Sequence, residues 1–135
     1  MTANHDISLI RAAKSGDLNQ VQALLVRGGN VNAVDRFGTT ALMFAAEQGY
    51  TEIARSLIDK GAFLNKRRKV FGITALMLAA ANHRLDVVKL LIARGANVNA
   101  KNDDGSTALM AAAAKGDTEI VKTLLQAGAD INVKE

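Results

Sequence analysis

Apolar positions in this chain come in short bursts, and the bursts recur. Ala41-Leu42-Met43, Ala75-Leu76-Met77 and Ala108-Leu109-Met110 follow Gly38-Thr39-Thr40, Gly72-Ile73-Thr74 and Gly105-Ser106-Thr107. The steps between them are 34 and 33 residues. Each burst runs on into alanines and predicts a short helix whose small side chains allow close neighbours. Thr40, Thr74 and Thr107 stand where such a helix begins, and their hydroxyls can accept a hydrogen bond from an unpaired first-turn N–H. Gly49 and Gly116 then stop it by supplying left-handed backbone. A second helix follows in each unit, marked at helical spacing by Ile53, Leu57 and Ile58, by Val87, Leu91 and Ile92, and by Ile120, Leu124 and Leu125.

The period extends into the segments that close each unit. Gly28-Gly29-Asn30-Val31-Asn32, Gly61-Ala62-Phe63-Leu64-Asn65, Gly95-Ala96-Asn97-Val98-Asn99 and Gly128-Ala129-Asp130-Ile131-Asn132 are versions of one another. Four units result, about 1–33, 34–67, 68–100 and 101–133, in a single domain over residues 1–135. The first lacks the Gly-x-Thr opening but keeps Leu9, Ala12, Ala13, Gly16 and Leu24-Leu25 in register. Such a period means stacked supersecondary units, an all-α repeat solenoid in which each unit touches only its neighbours.

The whole pattern resembles the ankyrin repeat. That family's usual Thr-Pro-Leu-His stands here as Thr-Ala-Leu-Met, a form similar to bacterial, including cyanobacterial, ankyrin-repeat proteins. The resemblance implies β-hairpin-like turns, helix-turn-helix units and a concave face of turns and first helices that holds another protein. Proline is favoured but not required at the first helical position. Loss of the histidine removes a polar contact between repeats and leaves Met43, Met77 and Met110 as a stripe beside the helices.

Composition narrows the function classes. The chain has no cysteine, so it has neither a disulfide framework nor a thiolate metal site. No apolar run approaches the ~20 residues of a membrane span. Met1 to Asp6 lack the build of a signal peptide, so a soluble cytoplasmic protein is expected. Phosphate-loop, dinucleotide, nucleophile-elbow and His-Glu-x-x-His motifs are missing. His5 and His83 lie far apart, and His5 is expected in a frayed start. Asp103-Asp104 reads as a solvated acidic turn and counterpart to the basic turn before it. Neither an enzyme nor a resident cofactor or metal is expected.

Charge is uneven. Arg55 to Lys101 holds ten basic and two acidic residues, a balance of +8, while the remainder carries −4 of the total +4. Such asymmetry concerns partners rather than fold. It opens a second reading, nucleic-acid or acidic-partner binding through 55–101, although aromatic residues for base stacking are few.

Departures from the period are the places to look for function, because the fold does not require them. Asn32 to Gly38 and Asn99 to Gly105 span six residues, but Asn65 to Gly72 spans seven. The longer turn holds Lys66-Arg67-Arg68-Lys69 and lacks the aspartate that Asp35 supplies one turn earlier. It reads either as a solvated turn or as a contact for an acidic partner or phosphate. Phe37 and Phe71 precede their turn glycines one repeat apart, flanked by Arg36, Val70 and Ile73. They are expected to anchor a partner; in the alternative each ring folds onto its own first helix. Phe63 is expected in the core, Tyr50 as a partly exposed packing residue, and Asn82-His83 as a structural substitute for a turn glycine, since Asn and His tolerate left-handed backbone.

The ends differ as well. Asn19, Gln20 and Gln22 give the first unit a polar outer face, as a capping repeat needs. In the last unit Leu124, Leu125, Ala112 and Ala113 resemble an internal repeat, and the chain stops at Val133-Lys134-Glu135. That pattern suggests the N-terminal portion of a longer array, or a face covered by self-association. The leading expectation is a protein-binding scaffold. Arg36, Phe37, Thr39, Arg67, Arg68, Val70, Phe71, Ile73, Asp103, Asp104 and Ser106 present its turns, and Glu47, Gln48, Asn82 and Lys115 the ends of its first helices.

Overall fold

The computed structural model describes residues 2–131, and within them the chain forms eight helices. These are α1 (Thr2–Ser15), α2 (Leu18–Val26), α3 (Ala41–Gln48), α4 (Thr51–Asp59), α5 (Ala75–Ala81), α6 (Leu85–Ala93), α7 (Ala108–Ala114) and α8 (Thr118–Gln126). They pair as four helical hairpins, and each hairpin packs on the next. Among the described residues the turns between hairpins form no strand, only an isolated bridge between Val34 and Thr40. The all-α repeat solenoid expected from the period is the observed architecture.

The helices lie in two rows. α1, α3, α5 and α7 contact one another far more extensively than α2, α4, α6 and α8 do. Their composition explains it: α5 is Ala-Leu-Met-Leu-Ala-Ala-Ala and α7 is Ala-Leu-Met-Ala-Ala-Ala-Ala, so backbones can approach closely. α3, α5 and α7 are also shorter, at seven or eight residues against nine in their partners. A close row beside a looser one bends the stack toward the close row. The core runs between the rows as a continuous file, with Leu9, Leu42, Leu57, Leu91 and Leu124 essentially sealed from solvent. Burying each such side chain contributes about 1.5–3 kcal/mol.

The predicted caps form. Thr40, Thr74 and Thr107 are extended residues whose hydroxyls accept hydrogen bonds from Met43, Met77 and Met110 N–H at 3.2, 3.3 and 3.3 Å. All three threonines are buried, so the bond also satisfies a hydroxyl that water cannot reach.

Between the two helices of each hairpin one residue is left-handed: Gly16, Gly49, His83 and Gly116. His83, at φ 62, thus takes a glycine's place, as the sequence suggested. In the second, third and fourth hairpins the residue after the left-handed one, at the start of the second helix, reaches back one hairpin. The Tyr50 ring lies so close over Gly16 that a Cβ there would meet it at 2.8 Å. Arg84 Nε donates to the Glu47 carbonyl at 3.0 Å. Asp117 caps α8 by accepting from Ile120 N–H at 3.1 Å and meets His83 Nδ1 at 2.8 Å. The Ile120 N–H first, and His83 second, hold the Asp117 carboxyl below its usual range.

A ladder of asparagines ties the closing segments together. Asn32 accepts from Phe63 N–H at 2.8 Å, Asn65 from Asn97 N–H at 2.7 Å, and Asn99 from Asp130 N–H at 2.7 Å. Asn32 and Asn99 also donate to the carbonyls of Gly61 and Gly128. Asp6 serves the first rung, accepting from Asn30 N–H.

Phe63 corrects an expectation: it is 63% exposed rather than core. Ala62, its neighbour, takes the buried place, and the Phe63 backbone is held outward by Asn32. Tyr50 is partly buried against the core. His5 lies within α1 rather than in a frayed start. Asn19, Gln20 and Gln22 are exposed, with Val21 and Leu24 buried behind them. In the last unit Leu124 and Ala112 are buried, whereas Leu125 and Ala113 are exposed. Val133-Lys134-Glu135 lie outside the described residues.

Candidate partner-binding surface

Three turns project from the close row of helices, and two are built alike. In the first, Asp35 Oδ1 accepts from Phe37 N–H and Thr39 N–H, both at 2.9 Å, and Asp35 N–H donates to the Thr39 carbonyl. In the third, Asn102 Oδ1 accepts from Asp104 N–H and Ser106 N–H at 2.9 Å, and Asn102 N–H donates to the Ser106 carbonyl. A short acceptor side chain that bonds its own backbone two and four residues on defines such a turn.

The middle turn has no such acceptor. Arg68 N–H bonds the Ile73 carbonyl at 2.8 Å, one residue further along than in the other turns. The Arg68 side chain then donates from Nε to the Val70 carbonyl at 3.2 Å. Accommodating the extra residue drives Phe71 to φ 67, with Gly72 left-handed behind it. A non-glycine residue held left-handed costs about 1–2 kcal/mol. The lengthened turn is seated on its predecessor: Val70 N–H donates to the Phe37 carbonyl at 3.2 Å, and the Lys69 backbone packs on Gly38. Asp103 N–H in turn donates to the Phe71 carbonyl at 3.0 Å, and Arg67 pairs with Asp103 at 2.8 Å. Asp103 thus is the counterpart to the basic turn that the sequence suggested, while Asp104 is simply exposed.

Neither phenylalanine folds onto its helix. Phe37 is 47% and Phe71 62% exposed, and Arg36 stacks on the Phe37 ring at 4.9 Å. Thr39 corrects an expectation: at 4% exposure it does not project from the turn. Its backbone is clasped on both sides by Asp35 in the turn's neck. Arg68, Val70, Ile73 and Ser106 are half-buried, and Ile73 packs against the core.

Glu47, Gln48, Asn82 and Lys115 lie at the opposite ends of the first helices from these turns. The Glu47 carbonyl is taken by Arg84, and Asn82 Nδ2 folds back on the Leu78 carbonyl at 2.7 Å. Gln48 and Lys115 are exposed.

Between α5 and α7 the close row opens into a trough of about 410 Å³. Ile73 and Ser106 line it with Met77, Leu78, Ala81, Met110, Ala111 and Ala114, and its lining is mainly apolar. Of these, only Ile73 and Ser106 were picked out for binding from the sequence. The recurrence of methionine at one register position was the available signal; in a family whose usual residue there is polar, it makes this wall apolar. Phe44 was also overlooked. It sits half-buried on α3 with the Lys14 ammonium 5.4 Å from its ring centroid. Among the described residues no group of three or more histidines, cysteines or carboxylates could hold a metal ion. Nor, among the described residues, is any helix long and apolar enough to cross a membrane.

The family model described as ankyrin repeats (3 copies) matches residues 9–102 and 63–135, essentially the whole stack. The chain belongs to the ankyrin-repeat family. Among its relatives are the mouse 2-5A-dependent ribonuclease, 40% identical over 65 residues, and the human mitochondrial disaggregase, 46% identical over 60. Zebrafish ankyrin repeat domain-containing protein 29 is 44% identical over 59 residues. These matches cover 47%, 44% and 43% of the chain but only 9%, 8% and 20% of the relatives. The activities in the first two names belong to proteins of which this chain matches a small part, and ankyrin repeats themselves are typically non-catalytic. Ankyrin repeats generally mediate protein–protein interaction. All three relatives are animal proteins.

Proposed function

We propose that this ankyrin stack is a non-catalytic scaffold that binds another protein across its turn tips and the close row of helices. One observation carries the reading: Phe37 and Phe71 are held out in solvent on adjoining turns, Phe71 at the cost of left-handed backbone. Folding gains little from either ring, and strained backbone persists where surrounding structure enforces it, commonly at ligand-binding positions. The trough lined by Ile73, Met77 and Met110 offers further apolar surface on the same row. A preformed surface loses little entropy on binding.

The test is a pull-down from the native source that compares wild type with the Phe37→Ala/Phe71→Ala double variant. Loss of a captured protein without loss of thermal stability is expected. A double variant that still captures it, or that unfolds, sinks the reading.

Nucleic-acid binding through residues 55–101 is less well supported. Arg67 and Arg94 are paired with Asp103 and Asp59, Arg55 with Glu52, and Arg84 and Arg68 bond backbone carbonyls. Much of the positive charge is therefore used between or within repeats. A salt titration with a generic single strand decides it, since phosphate-driven binding strengthens steeply as salt falls. To the same proposal belong the unit boundaries near 33, 67 and 100, a cytoplasmic location and the bacterial source suggested by Thr-Ala-Leu-Met.

A further inference from the structure

The first and middle turns enclose a cleft of about 400 Å³. Val34, Asp35, Arg36, Gly38, Lys66, Arg67 and Lys69 line it. Four of these seven residues are cationic. Two carboxylates oppose them. Asp35 lines the cleft but spends Oδ1 on the N–H groups of Phe37 and Thr39, and Asp103 is paired with Arg67. Counting both at full charge, the cleft keeps two net positive charges.

The single extra residue is what assembles this group. Lys69 lies with its backbone against Gly38, so close that a Cβ on Gly38 would meet Lys69 N at 2.5 Å. Val70 N–H fixes the seat by bonding Phe37. Lys66, Arg67 and Lys69 are thereby brought beside Arg36, which comes from the previous turn. Arg36 stacks on the Phe37 ring, which holds its planar guanidinium at the cleft; a stacked guanidinium still presents its N–H edge to a carboxylate. Val34 and Phe37 are exposed large apolar residues beside these cations.

From this juxtaposition we infer that the cleft binds an acidic peptide segment of a partner protein, with carboxylates meeting Arg36, Lys66 and Lys69 and an adjacent apolar side chain packing on Phe37. The inference rests on the scaffold reading and names the class of partner. Charge complementarity selects the occupant, and size sharpens the choice. The cleft admits a few side chains. A nucleic-acid backbone continuing past it would meet Asp103 and Asp104 on the next turn.

The experiment is fluorescence anisotropy with a labelled peptide, Glu-Asp-Phe-Glu-Asp-Leu, against the full chain at about 50 and 200 mM salt. Its amide counterpart, Gln-Asn-Phe-Gln-Asn-Leu, and single-stranded oligothymidine serve as comparisons. The acidic peptide should bind, weaken at the higher salt, and exceed both comparisons by about tenfold or more. Lys66→Glu/Lys69→Glu should lower its affinity by at least about tenfold, whereas Lys89→Glu, on α6 away from the cleft, should change it less than about twofold. Both sites are exposed, and circular dichroism confirms that the variants fold. No peptide binding, equal binding of oligothymidine, or binding insensitive to the double reversal overturns the inference. A native protein captured equally by wild type and Lys66→Glu/Lys69→Glu, but lost with Phe37→Ala/Phe71→Ala, would overturn the acidic cleft and leave the scaffold standing.

Discussion

The first and middle turns occupy the same place one repeat apart and solve it differently. The first is held from within: Asp35 bonds two of its own backbone N–H groups, and Phe37 follows without positive φ. The middle turn leans on its neighbours. It closes on itself through Arg68 alone, by N–H to the Ile73 carbonyl and Nε to the Val70 carbonyl, with no side chain accepting from its N–H groups, and the rest of its support comes from Phe37 before it and Asp103 after it. A turn that closes on itself needs no neighbour. A turn supported by its neighbours can carry an extra residue, a strained phenylalanine and four consecutive cations, all features that the fold alone would not select.

Changes that separate self-supported from neighbour-supported geometry test this contrast. The largest effect is expected at Gly38. Alanine there meets both left-handed backbone, about 1–2 kcal/mol, and the Lys69 backbone, about 1–3 kcal/mol more. Gly61→Ala, left-handed but with open space around it, carries only the first penalty. Urea unfolding of the two variants gives the difference, and equal losses would mean that the middle turn does not rest on the first.

Next comes the clasp itself. Asp35→Ala removes two bonds to a charged acceptor and should cost about 1.5–3 kcal/mol, while Arg68→Ala should cost less than about 1 kcal/mol. Comparable losses in the two turns would erase the distinction.

Smaller in size but opposite in sign are the glycine substitutions. Phe71→Gly relieves about 1–2 kcal/mol of left-handed strain and gives back about 0.5–1 kcal/mol in chain entropy, so a slight gain in melting temperature is expected. Phe37→Gly has no strain to relieve and should lower it. The same sign in both would show that Phe71 is not strained.

The smallest effect concerns the hairpin joint at His83. Asp117 has its carboxyl value lowered, so the charged form is favoured in the folded chain. Its contribution is present above the ordinary value of 3.8 and is lost as pH falls below that through the folded value. Melting temperatures measured from about pH 5 downward should fall less steeply in Asp117→Asn than in wild type.

Much of this was legible in the chain because the period acts as a comparison of the sequence with itself. The threonine caps, the left-handed His83 and the misfit turn at Lys66 to Lys69 all showed as matches to, or breaks in, one pattern. Contacts between repeats were less legible. Asn32, Asn65 and Asn99 recur visibly, but a recurring asparagine in a turn can equally bond its own backbone. Only the stacking distance decides that each reaches the next unit. Thr39 misled because its polarity suggests exposure, while its backbone lies in the neck of the hairpin. Phe63 misled the other way, since a large ring in a loop suggests burial and the smaller Ala62 had already filled the site. The trough escaped notice because Met77 and Met110 looked like one stripe, not two sides of an opening between α5 and α7.

The asparagine ladder also supplies a set of internal clocks. The amide of Phe63 is closed by Asn32, that of Asn97 by Asn65 and that of Asp130 by Asn99, so each amide reports one junction and no other. Deuterium uptake at these three sites would time the parting of successive repeats one by one. An Asp130 amide that exchanges first would show the stack peeling from its fourth hairpin, and simultaneous exchange would show it opening as one body.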